Sequence, residues 1–180
     1  SIPELFKVAQ PAVGTVHVSA YGRGIRESHQ GSGFFVAADG RFATSSHVIP
    51  SNIFVAKVRL ANGTEYPIER VLVRDDEKDL MLVSVDIPTD SLSYLSVSST
   101  LPKIGADILV IGSPKGLAHT ATRGIVSAVR RDDDYGTVIQ IDAPISPGSS
   151  GSPVLTMDGV VIGVATYKEE GENHSCPKHG

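Results

Sequence analysis

The sequence predicts an all-β fold in two lobes, and three observations carry that expectation. Short runs rich in Val, Ile, Thr and Phe recur along the chain. Gly-containing turns punctuate them. A Pro- and Ser-rich interruption near the middle, "DIPTDSLSYLSVSSTLPKIG" from Asp86 to Gly105, separates one set of strands from the other. Strands do not alternate with helices, so the pattern points to a sandwich or barrel and not to an α/β fold.

In chain order, the first element is the one helix candidate. "IPELFKVAQ" places Leu5, Phe6 and Ala9 on one face between Pro3 and Gln10. Strand-like runs follow as "AVGTVHVSA", "SGFFVA", "RFATSS", "NIFVAKVRL", "YPIERVLVR" and "LMLVSVD". After the interruption come "ADILVIG", "ATRGIVSAVRR", "GTVIQID" and "GVVIGVATY". The tetrads "ADGR", "ANGT" and "MDGV" read as tight hairpin turns. The acidic run Asp132 to Asp134, after Arg130 and Arg131, reads as a solvated hairpin loop. This places one lobe at 11–88, a connector at 89–103, a second lobe at 104–170 and a tail at 171–180.

Composition narrows the functional classes. The 180 residues suffice for one domain with a sizeable core, and 41% hydrophobic with 20% charged residues is ordinary for a globular chain. A formal charge of −4 argues against a dedicated nucleic-acid binder, which would carry a basic face. The longest apolar runs, "VVIGVA" and "ILVIG", are too short for a transmembrane helix. The chain opens at "SIPELF" without a basic-then-apolar leader, so a signal or anchor is expected to have been removed or never present. The single cysteine, Cys176, forbids an internal disulfide.

The chemistry concentrates in "DAPISPGSSGSPVL", Asp142 to Leu155, where Ser146, Ser149, Ser150 and Ser152 crowd among Gly and Pro. Such a stretch is by default a turn. A nucleophilic serine also needs a base to take its proton, and the base needs a group to hold its tautomer. Of the six histidines, His17 lies in an alternating strand, His29 in a polar loop, His119 beside "GLAHTAT", and His174 and His179 in the tail. His47 ends the strand-like "RFATSSHVI", where a ring can face a cleft. Asp75, Asp76 and Glu77 cluster as solvated charge, but Asp79 stands directly before the apolar "LMLVSV". There its carboxylate is expected to be half buried and in need of a partner. In "PGSSGS" the N–H groups of Gly148, Ser149 and Ser150 offer a donor array of the kind that stabilises a tetrahedral oxyanion. Each element alone has an ordinary structural reading. In combination they give His, Asp and Ser in chain order, two in the first lobe and one in the second.

With these residues identified, the sequence resembles a chymotrypsin-fold serine protease, and more closely the bacterial HtrA/Deg family. "GSGFFVAADGRFATSSHVI" resembles the family's G-S-G-F-[IV] strand leading to T-x-x-H-V, and "DDEKDLMLV" its D-x-x-x-D-[IL]-A-[LV]-[LV] segment. "IGSPKGLAHTATRGIVSAVRR" and "QIDAPISPGSSGSPVLTMDGVVIGVAT" resemble its later G-x-P-x-G-L and P-G-[NS]-S-G stretches. The resemblance implies a single trypsin-like protease domain over 1–180, built of two perpendicular six-stranded β-barrels. It implies endoproteolysis by His47, Asp79 and Ser150, with the oxyanion held by Gly148 and Ser150 and with Ser149 nearby. No metal or organic cofactor is expected.

Ala143, Pro144 and Ile145 are expected to line the pocket for the residue on the acyl side of the scissile bond. With no acid at its base, that pocket favours small or medium apolar side chains. Asp142 falls in a structural Q-x-D-A position. The family further implies unfolded or damaged polypeptides as substrates, a homotrimer formed through the Leu5 and Phe6 region, and an extracytoplasmic location. The sequence departs from the family at Ser152, often Gly. It departs again at the C-terminus, where "EGENHS" begins a G-x-N-x-x-F-A-[IV]-P pattern that breaks off at "CPKHG", a truncated or divergent ending. His174, Cys176 and His179 in that tail read as unstructured, not as a metal site. Two rivals frame the reading. An α/β-hydrolase elbow fails because "GSSGS" lacks the final Gly and Asp158 follows Ser150 too soon. A protease fold with a dormant triad, serving as a binding or scaffold protein until triggered, stays open, because loop geometry decides whether the oxyanion site exists.

Overall fold

The computed structural model describes residues 1–22, 24–51, 54–113, 119–134 and 136–167. Helix α1 spans Ile2–Ala9 and is followed by a 3-10 turn, Gln10–Ala12. Its start is fixed by a capping box: Ser1 and Glu4 satisfy each other's main-chain N–H groups, with Pro3 in the first turn. Eleven strands follow: β1 (Val13–Gly22), β2 (Ile25–Phe35), β3 (Arg41–Thr44), β4 (Phe54–Arg59), β5 (Glu65–Asp75), β6 (Leu80–Val85), β7 (Asp107–Gly112), β8 (Thr120–Asp132), β9 (Gly136–Ile141), β10 (Pro153–Thr156) and β11 (Val161–Val164). No helix among the described residues is long and apolar enough to cross a membrane.

The first six strands close into a barrel in the order β1-β2-β3-β6-β5-β4, and the other five form an antiparallel sheet, β11-β10-β7-β8-β9. Two barrel-like sheets and one short N-terminal helix make this the expected double-barrel architecture. The second sheet has five strands among the described residues, where six were expected. The connector partly fills the sixth place: Val97 bridges Val161 in parallel, flanked by bonds from Ser98 N–H to Val161 O and from Val161 N–H to Ser96 O. It meets β11 at that one residue pair, too briefly to make a strand.

Alternation along the strands sorts side chains into three packed groups. Inside the barrel, Val16, Val18, Phe35, Phe42, Val58 and Val83 form one core. Phe35 and Phe42 meet edge to face there, with centroids 5.0 Å apart. In the second sheet, Ile108, Val110, Val126, Ala143 and Val154 form another. The third group is the seam: Val13 and Phe34 from the barrel pack on Leu109, Ile111, Leu155 and Val161, with Ala9 of α1 buried against them. Leu5 and Phe6 are partly buried on the same seam, while Val8 faces solvent. The helix face expected from the sequence therefore closes the join between the lobes.

Two local readings need correction. His29 lies in β2, not in a polar loop; it pairs with Val18 in a hairpin whose register runs unbroken from Val13 opposite Phe34 to Gly22 opposite Ile25. "PVLT" forms β10, a buried strand between β7 and β11. The turn expected at "ANGT" is present, with Gly63 at φ +83°, a conformation open to glycine at no steric cost.

Candidate active site

The register of the barrel brings His47 and Asp79 together. Strands β3 and β6 pair with Thr44 opposite Met81, so the chain leaving β3 and the chain entering β6 emerge side by side. Just beyond Thr44, Ser46–Val48 form a single 3-10 turn that carries His47. Just before Leu80, Asp79 closes a turn in the left-handed region, at φ +54°. That conformation is unusual for a residue with a Cβ, but Asp is among those that tolerate it.

The Asp79 carboxylate grips the histidine at two points. His47 Nδ1–H donates to Oδ2 at 2.7 Å, and the His47 main-chain N–H donates to Oδ1 at 2.9 Å. The Ser46 hydroxyl adds a third bond, to Oδ1 at 3.1 Å. Holding the ring proton on Nδ1 leaves Nε2 as the acceptor, the tautomer a general base needs. Only 13% of the Asp79 side chain is exposed, against 44% for His47, so the carboxylate is shielded while the imidazole stays open to solvent. Burial works to raise the Asp79 pKa. The hydrogen bonds from the His47 ring and main chain, the His47 charge and the Ser46 hydroxyl outweigh it, and the carboxyl is held below its ordinary range.

A cation supports this turn from beneath. Arg74 donates from Nη1 to Ile49 O at 2.7 Å and from Nη2 to Ser46 O at 3.1 Å, while its Nε is held by Asp76 at 2.8 Å. The guanidinium thus ties the carbonyls on either side of His47 to β5. Nothing in the local sequence marks Arg74 for this task, because its partners lie 25 and 28 residues away.

Ser150 lies in the loop between β9 and β10, almost fully buried. Its carbonyl accepts from Ser32 N–H of β2 at 2.8 Å, and the next N–H, of Gly151, donates to Ala165 O at 2.8 Å. Gly151 has φ +93° and lies so close to Ser32 O and Thr44 Oγ1 that a Cβ there would overlap them. The Ser150 hydroxyl is engaged by the main chain of Tyr167. It accepts from Tyr167 N–H at 2.9 Å and donates to Tyr167 O at 3.3 Å. No hydrogen bond joins it to His47 among the described residues. Gly148 N–H and Ser150 N–H likewise carry no partner there, whereas Ser149 N–H is spent on Ser146 O at 3.0 Å. Ser146, read as plain loop, therefore closes the turn.

Of the residues expected in the substrate pocket, Ala143 is buried, Ile145 is partly buried beside it, and Pro144 is exposed. The Asp142 carboxylate accepts from Ile125 N–H at 2.6 Å, which occupies it with strand β8. Ser152 is completely buried, and its neighbour Gly112 leaves no room for a side chain. Burial pushes the pKa of His119 down. His174, Cys176, His179 and the rest of the tail lie outside the described residues. Among the described residues, no group of three or more His, Cys, Asp or Glu is arranged to hold a metal.

Fold and site together define a two-lobed, trypsin-like peptidase class, with an Asp-held imidazole on one lobe and a serine-bearing turn on the other. Comparison with known proteins agrees. The family model of the trypsin-like peptidase domain matches residues 31–164. Serine protease HTRA1A of Danio rerio is 35% identical over 182 residues, covering 93% of this chain and 36% of that protein. A probable periplasmic serine endoprotease, DegP-like, of Chlamydia pneumoniae is 39% identical over 146 residues, covering 78% of this chain and 29% of that protein. The crystal structure of the serine endoprotease from Yersinia pestis matches with a TM-score of 0.76 at 30% identity, covering 94% of this chain and 58% of that one. The chain belongs to the trypsin-like peptidase family, as an HtrA-type serine protease domain. It spans about a third of the length of the two curated relatives.

Proposed function

We propose that the chain is a serine endopeptidase using His47, Asp79 and Ser150. The observation that carries this reading is the Asp79 grip on His47, which fixes both the tautomer and the position of the base. In the reaction, Ser150 Oγ attacks the scissile carbonyl while His47 Nε2 takes its proton. Asp79 stabilises the imidazolium, which then protonates the leaving amine. Water repeats the sequence to release the acyl group. Gly148 N–H and Ser150 N–H receive the oxyanion. Ser149 acts through the turn, since its own N–H is committed to Ser146.

The apolar surroundings of Ala143 and Ile145, and the engagement of Asp142 with β8, support a preference for small or medium apolar residues over Lys or Arg. Residues of that kind are exposed in unfolded or damaged polypeptides, the substrate class this reading assigns. An extracytoplasmic location follows the periplasmic relatives, and a homotrimer the family; the N-terminal helix would meet its neighbours through Val8 and the exposed remainder of Leu5 and Phe6. Ser150→Ala is expected to lower kcat by roughly 10⁴-fold to 10⁶-fold on a chromogenic peptide while the chain stays folded. Tm is expected to show only the small loss that follows from leaving Tyr167 N–H without its acceptor. Retention of most activity would sink the assignment.

A second reading has an observation of its own. The hydroxyl of Ser150 is bonded to Tyr167 and not to His47, as in a protease fold resting in a dormant state. Labelling by a fluorophosphonate probe separates the two readings: an active site reacts within minutes, and a dormant one only after a trigger releases Ser150 from Tyr167.

A further inference from the structure

The G-S-G stretch of β2 has no part in the triad, yet among the described residues of the barrel its central residue carries the most bonds to the nucleophile's loop. Ser32 is completely buried in the seam. Its hydroxyl donates to Gly148 O at 2.8 Å and accepts from Ser113 N–H at 3.1 Å. Its main-chain N–H donates to Ser150 O at 2.8 Å. Its carbonyl accepts from the buried Thr44 hydroxyl at 2.8 Å, which fixes Ser32 itself to β3. Every hydrogen-bonding group of Ser32 is therefore used, and two of them hold the turn that carries Ser150.

What those bonds fix follows from the trans peptide, whose C=O and N–H point in opposite directions. The Gly148–Ser149 peptide is held at both ends, its oxygen by Ser32 Oγ and its N–H by Ser146 O. The Ser150–Gly151 peptide is also held at both ends, its oxygen by Ser32 N–H and its N–H by Ala165 O. Between these two fixed planes lies the Ser149–Ser150 peptide, whose oxygen accepts from Ser152 N–H at 3.0 Å and whose N–H has no partner among the described residues. That plane cannot turn over without breaking its own bond to Ser152 or a bond of one of its pinned neighbours. The Gly148 N–H, on the other flank, is fixed from one side by the same bond. Ser32 supplies one pin of each pair.

We propose that Ser32 is a positioning residue for the oxyanion site: by holding the carbonyls of Gly148 and Ser150 against β2, it keeps the Gly148 and Ser150 N–H groups oriented before substrate arrives. The inference rests on the reading of Ser150 as nucleophile. Oriented donors need no reorganisation during the reaction, which is where such groups gain their effect. The side chain matters apart from the backbone, because only the hydroxyl holds Gly148.

Two measurements on the intact chain test it, with Ser32→Ala and Ser32→Cys, the latter of similar size but a weak donor. The first is hydrogen exchange across residues 146–152. Ser32→Ala is expected to speed exchange of the Ser149 amide by about tenfold or more while β5 and β6 stay unchanged, because a pinned peptide has become free to rock. Exchange at Ser149 equal to the parent's overturns the proposal, and this readout needs no activity. The second is kinetic. Ser32→Ala is expected to lower kcat by about tenfold to a hundredfold with KM unchanged, and to weaken a peptidyl boronic acid, which mimics the tetrahedral state, by the same factor. A variant that melts earlier but keeps the parent's kcat shows that the hydroxyl merely fills the seam, and overturns the proposal. If Ser32→Ala does not fold, Ser32→Cys decides by the same criteria, with an intermediate loss expected. Ser150→Ala, run alongside, separates this inference from the reading beneath it: activity surviving in that variant removes the nucleophile, whereas an unaltered Ser32→Ala removes only the clamp.

Discussion

His47 and Asp79 are joined by strand pairing within one barrel, whereas Ser150 hangs on a loop whose anchors include the opposite lobe. In the first region, a β3–β6 register with Thr44 opposite Met81 delivers both residues to one end of the barrel, and three hydrogen bonds to one carboxylate finish the alignment. In the second, no strand carries the serine. Its position depends on Ser32 across the seam and Ala165 beside it, and its hydroxyl is turned to Tyr167. Preorganisation is thus unequal. The His47–Asp79 pair is set by local architecture, and Ser150, the proposed nucleophile, by contacts that join the lobes.

The most damaging blow to the first region is Asp79→Asn. It keeps the shape and the left-handed backbone but favours the wrong imidazole tautomer, so kcat is expected to fall by about 10⁴-fold. Steady-state kinetics on a peptide substrate measures it, and a loss below tenfold would mean that the Asp79 grip does not serve catalysis. Arg74→Met probes the same region more gently. Its methylenes remain, but the carbonyls of Ser46 and Ile49 lose their donor, so kcat is expected to fall by about tenfold with KM unchanged. An unchanged kcat there would show that the Asp79 bonds alone hold the His47 turn.

The smallest effect is on stability against acid. The folded-state pKa of Asp79 lies below its ordinary value of 3.8, so its contribution is fully present above that value and is lost as pH falls through the folded-state pKa. Between pH 6 and 7 the parent is expected to exceed Asp79→Asn by about 1.5–3 kcal/mol in denaturant melts, the usual worth of a hydrogen bond to a charged group. The gap closes in strong acid. A gap independent of pH would place the effect in packing and not in the carboxylate.

The same contrast explains what the sequence disclosed. His47, Asp79 and Ser150 stand out as candidates because each sits at an abrupt change of pattern: a strand end, an acid before an apolar run, a serine among glycines. The barrel strands were legible by alternation wherever one face is buried. "IRESHQ" was not, because side chains such as Arg26, Ser28 and His29 stand exposed on the β1–β2 hairpin and show no apolar face. β10 was not, because four residues beginning with Pro carry too little signal to distinguish from a turn. Ser32, Arg74 and Tyr167 were invisible for a different reason. Tyr167 lies 17 residues from Ser150, Arg74 28 from Ser46 and Ser32 116 from Gly148, and no local spacing encodes hydrogen bonds of that kind.

The left-handed backbone at Asp79 has a consequence for which residues the position can accept. Among acids, Asp alone combines tolerance of that conformation with a side chain short enough to meet His47 at two points. Glu would carry the wrong reach on an unfavourable backbone, and Ala would keep the strain while losing every bond. The position is therefore filtered twice, once by the path of the chain into β6 and once by the imidazole. Random variation at this site should leave Asn as the best-folded substitute and still a poor catalyst.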